Sequence, residues 1–362
     1  MRSFRSGRFR ASLVGAAVVV LALAGCGGGD DEDPPAAGGT GDAAEVPDLG
    51  EATIVLGGKV ITWIAPYVGA CEGLFENYGL TVDVVPSEQG TTSAIAGLVS
   101  GDVLTAGTGA TAMTNAVREG APIQMLFNAS IGYGVQVIMS NDFLESSGAS
   151  LEDSLEERVQ ALEGARIAIL NPGDSIDQLL RYLLPEYGLD PDTDVTITAL
   201  SNYPNMIAAL SQGDIDVMAG SPPNGAQVEQ EGFGQILFNG NEVEGLDDYP
   251  YLVGSANVQA IEGEEREAIK ALIKGIADTL DLLREDPDAG KECMQAEFPD
   301  LEQATFDAAY EFSVESLPES PLITEDIYES LLDFAEESGA PINVSYEDAV
   351  NVDIVEEALA ER

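Results

Sequence analysis

The chain has 362 residues, 45% of them hydrophobic, enough for two ordinary domains with cores of their own. Its 64 acidic residues against 15 basic ones give a formal net charge of −49, a surface that repels nucleic acid, so no nucleic-acid partner is expected. Histidine is absent, which removes Ser-His-Asp, Cys-His and His-metal chemistry together, and Cys26, Cys71 and Cys293 are too few for a zinc cluster or a disulfide framework.

In chain order, the first segment reads as an address. Arg2, Arg5, Arg8 and Arg10 make a basic start, Ala11 to Ala24 is an apolar run too short for a stable membrane span, and Leu23-Ala24-Gly25-Cys26 closes it. Small residues before a Cys suit a signal peptidase, and the pattern resembles the bacterial lipoprotein signal. Residues 1–25 are therefore expected to be a signal peptide, with Cys26 carrying a diacylglyceryl anchor. No adjacent Arg pair is present, which points to the general export route. Residues 26–50 (CGGGDDEDPPAAGGTGDAAEVPDLG) hold little to bury and read as an acidic Gly/Pro tether. Nothing around its DDED run would fix carboxylates about a metal, and no metal or other cofactor is expected anywhere in the chain. The body is expected on the outer face of the cell membrane, held there by its lipid.

After the tether, Thr53 to Leu56 reads as a strand and leads into a helix with Ile64, Val68, Cys71 and Phe75 at helical spacing. Then comes a unit that the chain repeats. Its first copy is Tyr78-Gly79-Leu80, a strand from Thr81 to Val85, a polar turn, a helix from Ser93 to Ser100, Gly101-Asp102, and a strand from Val103 to Ala106 before Gly107. The second is Tyr187-Gly188-Leu189, a strand from Val195 to Leu200, a polar turn, a helix from Met206 to Ser211, Gly213-Asp214, and a strand from Ile215 to Ala219 before Gly220. Strand, helix, strand in that order implies a right-handed parallel crossover. A strand from Ala165 to Leu170 and a helix with Ile176, Leu179, Leu180 and Leu183, capped by Asp174 or Ser175, precede the second copy. From Glu264 onward the pattern is mostly helical, with Ile269, Leu272, Ile273, Ile276, Leu280 and Leu283 on one face. Helices alone cannot make a third α/β lobe, so they are expected to pack back onto the first.

Two strand-like stretches link the copies. Gln124 to Asn128 with Val135 to Met139 carries the chain across, and Tyr251 to Val258 carries it back, with Gly132-Tyr133-Gly134 and Gly254-Ser255 as bending points. The expected fold is α/β, periplasmic-binding-protein-like type II: two α/β lobes joined by two crossing strands, with a ligand cleft between them. Lobe I would take residues 51–133 and 254–362, and lobe II residues 134–253. The cleft would lie at the carboxyl ends of the strands.

Five short stretches carry a family resemblance. They are Gly73-Leu74-Phe75 with Tyr78-Gly79-Leu80-Thr81-Val82, Ile95 with Leu98-Val99-Ser100-Gly101-Asp102, and Arg118-Glu119-Gly120-Ala121-Pro122-Ile123. Further on come Leu162-Glu163-Gly164-Ala165-Arg166-Ile167 and Leu210-Ser211-Gln212-Gly213-Asp214-Ile215-Asp216. From about residue 51 to about 310 the chain resembles, in order and spacing, the ABC-importer solute-binding proteins of the nitrate, sulfonate and taurine group, with their thiamine-pyrimidine-binding relatives. The resemblance implies an extracytoplasmic receptor that captures a small organic anion or heteroaromatic compound by lobe closure. It implies a permease and its ATPase as partners, and a monomeric chain. Where members commonly carry Glu-Pro, this chain reads Ser221-Pro222-Pro223, so that Glu's ligand contact is not inherited. An enzyme of the thiamine-pyrimidine-synthase-like class on the same fold needs the histidine this chain lacks. A ligand-sensing subunit of a signalling system is the remaining alternative.

The ligand site is expected at strand-end loops and helix N-termini, whose unpaired N–H groups and positive dipole ends suit an anion. In the first lobe the candidates are Lys59, Trp63, Ser87, Gln89 and Gly90, with Thr91, Thr92, Thr108 and Thr111. The second lobe offers Asn171, Asp174, Ser175, Tyr203, Asn205 and Ser221, and the hinge offers Asn128 and Tyr133. Lys59 would supply the one nearby full positive charge, while Trp63 or Tyr203 could flank a flat group. No catalytic residue is expected. Asp190, Asp192 and Asp194 alternate like a calcium loop, but the twelfth position holds Ser201 in place of a bidentate Glu. Cys71 and Cys293 can pair in an exported chain, although separate burial as apolar thiols is the commoner outcome.

Overall fold

Alternation of buried Ile54 and Leu56 with more exposed neighbours starts the first strand of the computed structural model, which describes residues 46–362. The expected signal peptide, Cys26 and most of the tether lie outside the described residues. Strand β1 (Gly50–Leu56) begins inside the stretch read as tether, because Leu49 N donates to Gly79 O at 2.7 Å and Gly50 is already paired with Leu80. A 3-10 turn (Ile61–Trp63) and α1 (Ile64–Cys71) follow, then β2 (Leu80–Pro86), α2 (Thr91–Ser100), β3 (Thr105–Gly109), α3 (Ala110–Arg118) and β4 (Ile123–Ile131).

The chain then enters a second sheet. It contributes β5 (Gln136–Ser140), α4 (Asn141–Ser147), α5 (Leu155–Gln160), β6 (Arg166–Ile169), α6 (Ser175–Glu186) and β7 (Thr196–Ala199). Next come α7 (Tyr203–Gln212), β8 (Val217–Gly220), α8 (Asn224–Glu231) and β9 (Gly234–Asn239). Strand β10 (Pro250–Asn257) returns to the first sheet, and helices close the chain: α9 (Val258–Glu262), α10 (Arg266–Glu285), α11 (Lys291–Glu297), α12 (Gln303–Glu315), α13 (Glu325–Glu337), α14 (Tyr346–Ala349) and α15 (Val352–Ala360).

The two sheets share one plan, β2-β1-β3-β10-β4 and β7-β6-β8-β5-β9. In each, three parallel strands are followed by an antiparallel fourth that comes from a crossing connection, β10 in one and β5 in the other. The repeat seen in the sequence is thus a structural repeat. Gly101 and Gly213 end α2 and α7 at φ 78° and φ 70°, the left-handed turn glycine makes without strain.

Two expectations are corrected. The strands after those glycines start two residues late, at Thr105 and Val217, because the residues just past each cap close the turn before the chain can join its sheet. The return into the first sheet begins at Pro250, ahead of Gly254, and β10 continues through Gly254 and Ser255 with a register shift against β4 between them. Gly254 is there for close approach: a Cβ on it would lie 2.0 Å from Phe127 Cζ. At the other connection Gly132 does bend the chain, with φ 81°.

Helix α10 packs on the first lobe, while the later helices also reach the second: Glu302 N donates to Gln230 Oε1 at 2.9 Å and Gln178 Nε2 to Ser338 Oγ at 3.2 Å. Ile269, Leu272, Ile273, Ile276, Leu280 and Leu283 of α10 are all buried, and Gly275 lets Phe75 lie against the helix. Lys270, itself buried, ties α10 to α15 through Glu357 Oε1 at 2.9 Å and Glu361 Oε1 at 2.7 Å. Cys71 at the end of α1 is joined to Cys293 of α11 in a disulfide, which corrects the expectation of separate thiols. Two helices that pack side by side bring together residues 222 positions apart. No helix among the described residues is long and apolar enough to cross a membrane.

Candidate functional site

Both lobes contribute walls to a cavity of about 50 Å³ at the carboxyl ends of their strands. From the first lobe come Trp63, Thr91, Thr108 and Ala112; from the second, Asp174, Ser175, Tyr203 and Ser221; from the returning strand, Tyr251. Two glycines seat the aromatic walls. Gly107 of β3 lies under Trp63, where a Cβ would be 2.6 Å from the ring, and Gly220 of β8 lies under Tyr203, again at 2.6 Å. The two rings come from different places in the plan: Trp63 from the turn between β1 and α1, and Tyr203 from the first residue of α7, whose counterpart in the first lobe is Thr91 at the start of α2. At roughly 10–15 Å³ per water site the chamber has room for about four waters, or a ligand group of similar bulk. Outside it a wider groove of about 1000 Å³, also bordered by Gly57, Gly58, Leu170 and Tyr203, opens between the lobes.

Asp174 is the charged group of the chamber. It caps α6: Oδ1 accepts from Ile176 N and Asp177 N, and Oδ2 accepts from Asn171 N, each at 3.0 Å. Burial pushes its carboxyl up to about 7, against the opposing pull of those backbone donors. Tyr203 is likewise pushed up to about 12 by burial, and Tyr133 and Tyr251 are raised further for the same reason, so all three hydroxyls stay protonated. Tyr251 and Ser221 hydroxyls bond to each other, and Ser175 Oγ is buried with no protein partner.

The lobes also touch directly. Thr111 Oγ1 donates to Gln178 Oε1 at 2.7 Å and bonds to the Tyr249 hydroxyl; Thr92 Oγ1 donates to Asn171 Oδ1 at 3.4 Å; Ile61 N donates to Pro222 O at 3.1 Å. Tyr133, from the first connection, donates to Ser175 O and packs between Tyr249, Tyr251 and Phe334.

Of the residues proposed from sequence, Trp63, Thr91, Thr108, Asp174, Ser175, Tyr203 and Ser221 meet at the chamber. Thr92, Thr111, Asn171 and Tyr133 join the lobes around it. Ser87, Gly90, Asn205 and Lys59 border the outer groove. Lys59 does not enter the chamber; its ammonium lies 3.6 Å from Glu297 and over the Phe298 ring, drawn outward by that carboxylate. Gln89 is exposed on the turn before α2. Asn128 is fully buried in β4 beside β10, with neither side-chain atom partnered, and lines neither space. Tyr251, Ala112, Gln178 and Tyr249 were not singled out in the sequence. A signal existed only for Tyr251, which heads the returning strand where that strand enters the cleft. Asp190, Asp192 and Asp194 form a turn in which Asp190 accepts from Asp192 N and Asp194 accepts from Asp190 N, both at 2.8 Å.

Two like-ordered α/β sheets, joined by two connections and enclosing a chamber walled by both, make a two-lobed fold of the periplasmic-binding-protein type. The chain belongs to the NMT1-like family, whose sequence profile matches residues 49–296. Over 104 residues it is 34% identical to the nitrate import ATP-binding protein NrtC of Synechococcus elongatus; the match covers 29% of this chain and only 16% of that relative's length. Among solved structures it is similar to the periplasmic nitrate-binding protein NrtA of Synechocystis PCC 6803, with a TM-score of 0.66 and 16% identity over 88% of this chain and 90% of that one. A zinc-bound ligand-binding component of an ABC-type import system from Staphylococcus aureus gives a TM-score of 0.67 and 17% identity over 85% of this chain and 98% of its own. At such identities these likenesses establish the fold.

Proposed function

We propose that this protein is the extracytoplasmic solute-binding receptor of an ABC importer. It captures a small molecule between its lobes and delivers it to a membrane permease driven by an ATPase. The observation that carries this reading is the chamber itself: Trp63 from one lobe and Tyr203 from the other face a shared space that exists only when the lobes meet. Lobe contacts such as Thr111 with Gln178 make closure and capture one event. The chain is a binding protein and not an enzyme on this reading; it has no histidine to serve as a general base, and a carboxylate already bonded by three backbone N–H groups is poorly placed to be one.

A thermal-shift screen of the purified protein against sulfonates, nitrate, pyrimidines, flavins, aromatic acids and organic ammonium ions tests the reading. A solute that binds only the folded state adds about 2.7 kcal/mol of stability at one hundred times its dissociation constant, so a hit must raise the melting temperature. A screen in which no solute moves it argues against a receptor.

The receptor acts as a monomer held at the outer face of the membrane by lipid on Cys26, with residues 26–50 as its tether. One acyl chain holds weakly, at about 0.8 kcal/mol per buried CH₂, and a diacyl group makes the anchor stable. Cys26→Ala is expected to release the protein into the medium or leave its precursor uncut. Processing and membrane retention like the parent's would contradict the anchor.

A further inference from the structure

We propose that the interlobe chamber takes a small organic cation, an ammonium or quaternary ammonium group seated among Trp63, Tyr203 and Tyr251 with its charge against Asp174. The proposal rests on the receptor reading, whose site it occupies, and reverses the ligand charge that the sequence suggests.

Four observations carry it. Among the described residues that line the chamber, Asp174 is charged and none is Lys or Arg. Three aromatic residues, Trp63, Tyr203 and Tyr251, line the same space, and aromatic rings attract a cation through their quadrupoles. Of the helix N-termini at the chamber, that of α6 is already bonded to the Asp174 carboxylate, so its dipole is spent on the protein's own charge; those of α2 and α3, at Thr91 and Gly109, add dipoles but no full positive charge. The outer groove is bordered by Glu88, Glu231, Glu297 and Asp300 against Lys59, which is itself paired with Glu297. With a chain charge of −49, the approach steers cations inward and holds anions off.

Capping alone does not explain Asp174. Asparagine caps a helix about as well and would not place a carboxylate where burial lifts it to about 7. A carboxylate has about four acceptor positions, and the backbone takes three of them, leaving one on Oδ2. Ser175 Oγ, buried and unpartnered at the same wall, supplies a further polar contact for a ligand that also carries a hydroxyl or amide.

Calorimetry on the purified protein tests this with tetramethylammonium, choline and 3,3-dimethyl-1-butanol, the uncharged carbon isostere of choline. Nitrate and methanesulfonate run in parallel. Choline is expected to bind at least tenfold more tightly than its isostere, and Asp174→Asn, which keeps the Oδ1 cap on Ile176 N and Asp177 N but gives up the bond from Asn171 N, is expected to remove that preference. A pH series on the unaltered protein gives an independent reading, since choline binding should strengthen from pH 5 to pH 8 as Asp174 ionises. The groups that face Asp174 do not confuse the series. Tyr133, Tyr203, Tyr249 and Tyr251 are all pushed upward, and Asp177 is paired with Arg181 at 3.0 Å. Equal binding of choline and its isostere, or no binding of either ammonium ion, overturns the cation assignment. Nitrate or methanesulfonate binding in their place overturns it as well while leaving the receptor reading intact, which fails separately if the wider solute screen is blank.

Discussion

Replacing Cys71 and Cys293 together by Ala is expected to cost the folded body about 3–5 kcal/mol, because their bond closes a loop of more than two hundred residues. It ties α1, the helix that follows the Trp63 turn, to α11, whose last residue Glu297 borders the outer groove. The loss should therefore be read in two ways. The melting temperature falls in the double variant, and reducing agent lowers that of the parent while leaving the variant where it is. A parent whose melting curve ignores reductant, and a variant as stable as the parent, would mean that the two thiols are not joined.

Gly254→Val is expected to be comparably severe, at about 3 kcal/mol or more, and to leave little folded protein. Gly254 is paired with Gly107 on one side and Phe127 on the other, in the strand that brings the chain back from the second lobe. Phe127 is fully buried, and its ring occupies the space a side chain on Gly254 would need. Strand β10 is hydrogen-bonded to β3 on one side and β4 on the other, so relieving the clash means shifting a paired strand. Gly254→Ala should destabilise too, and shortening the neighbour with Phe127→Leu should restore part of that loss, the coupling expected of residues in contact. A Gly254→Ala protein within 0.5 kcal/mol (about the scatter of surface substitutions) would contradict this packing.

These two positions also mark the limit of what was readable in the sequence. Local signals were: Gly101 and Gly213 stop their helices, the α10 stripe is buried as its spacing requires, and the two repeats become two sheets of one plan. Contacts between distant parts of the chain were not. Nothing near Gly254 indicates that Phe127 lies over it, so the residue read only as a bending point also clears space for that ring. The Cys71–Cys293 bond depends on α11 folding back beside α1, which composition does not reveal. Lys59 sat at the expected strand end, yet Glu297, supplied by a helix more than two hundred residues later, draws it out of the chamber. Asp174 was legible both as a cap and as a candidate site residue; that no Lys or Arg would share the chamber with it followed only once Lys59 was placed outside.

The central claim is that a solute occupies the chamber between the lobes. Equilibrium dialysis of the purified protein against a small-molecule extract of its host, with mass spectrometry of what is retained, measures this directly. The comparison is Ala112→Leu, which pushes a larger side chain from α3 into the chamber without emptying any part of the core. The unaltered protein should retain a compound at about one molecule per chain, and the filled variant should lose it while melting at a similar temperature. Retention of the same compound at the same level by both proteins would place its binding elsewhere and contradict the account.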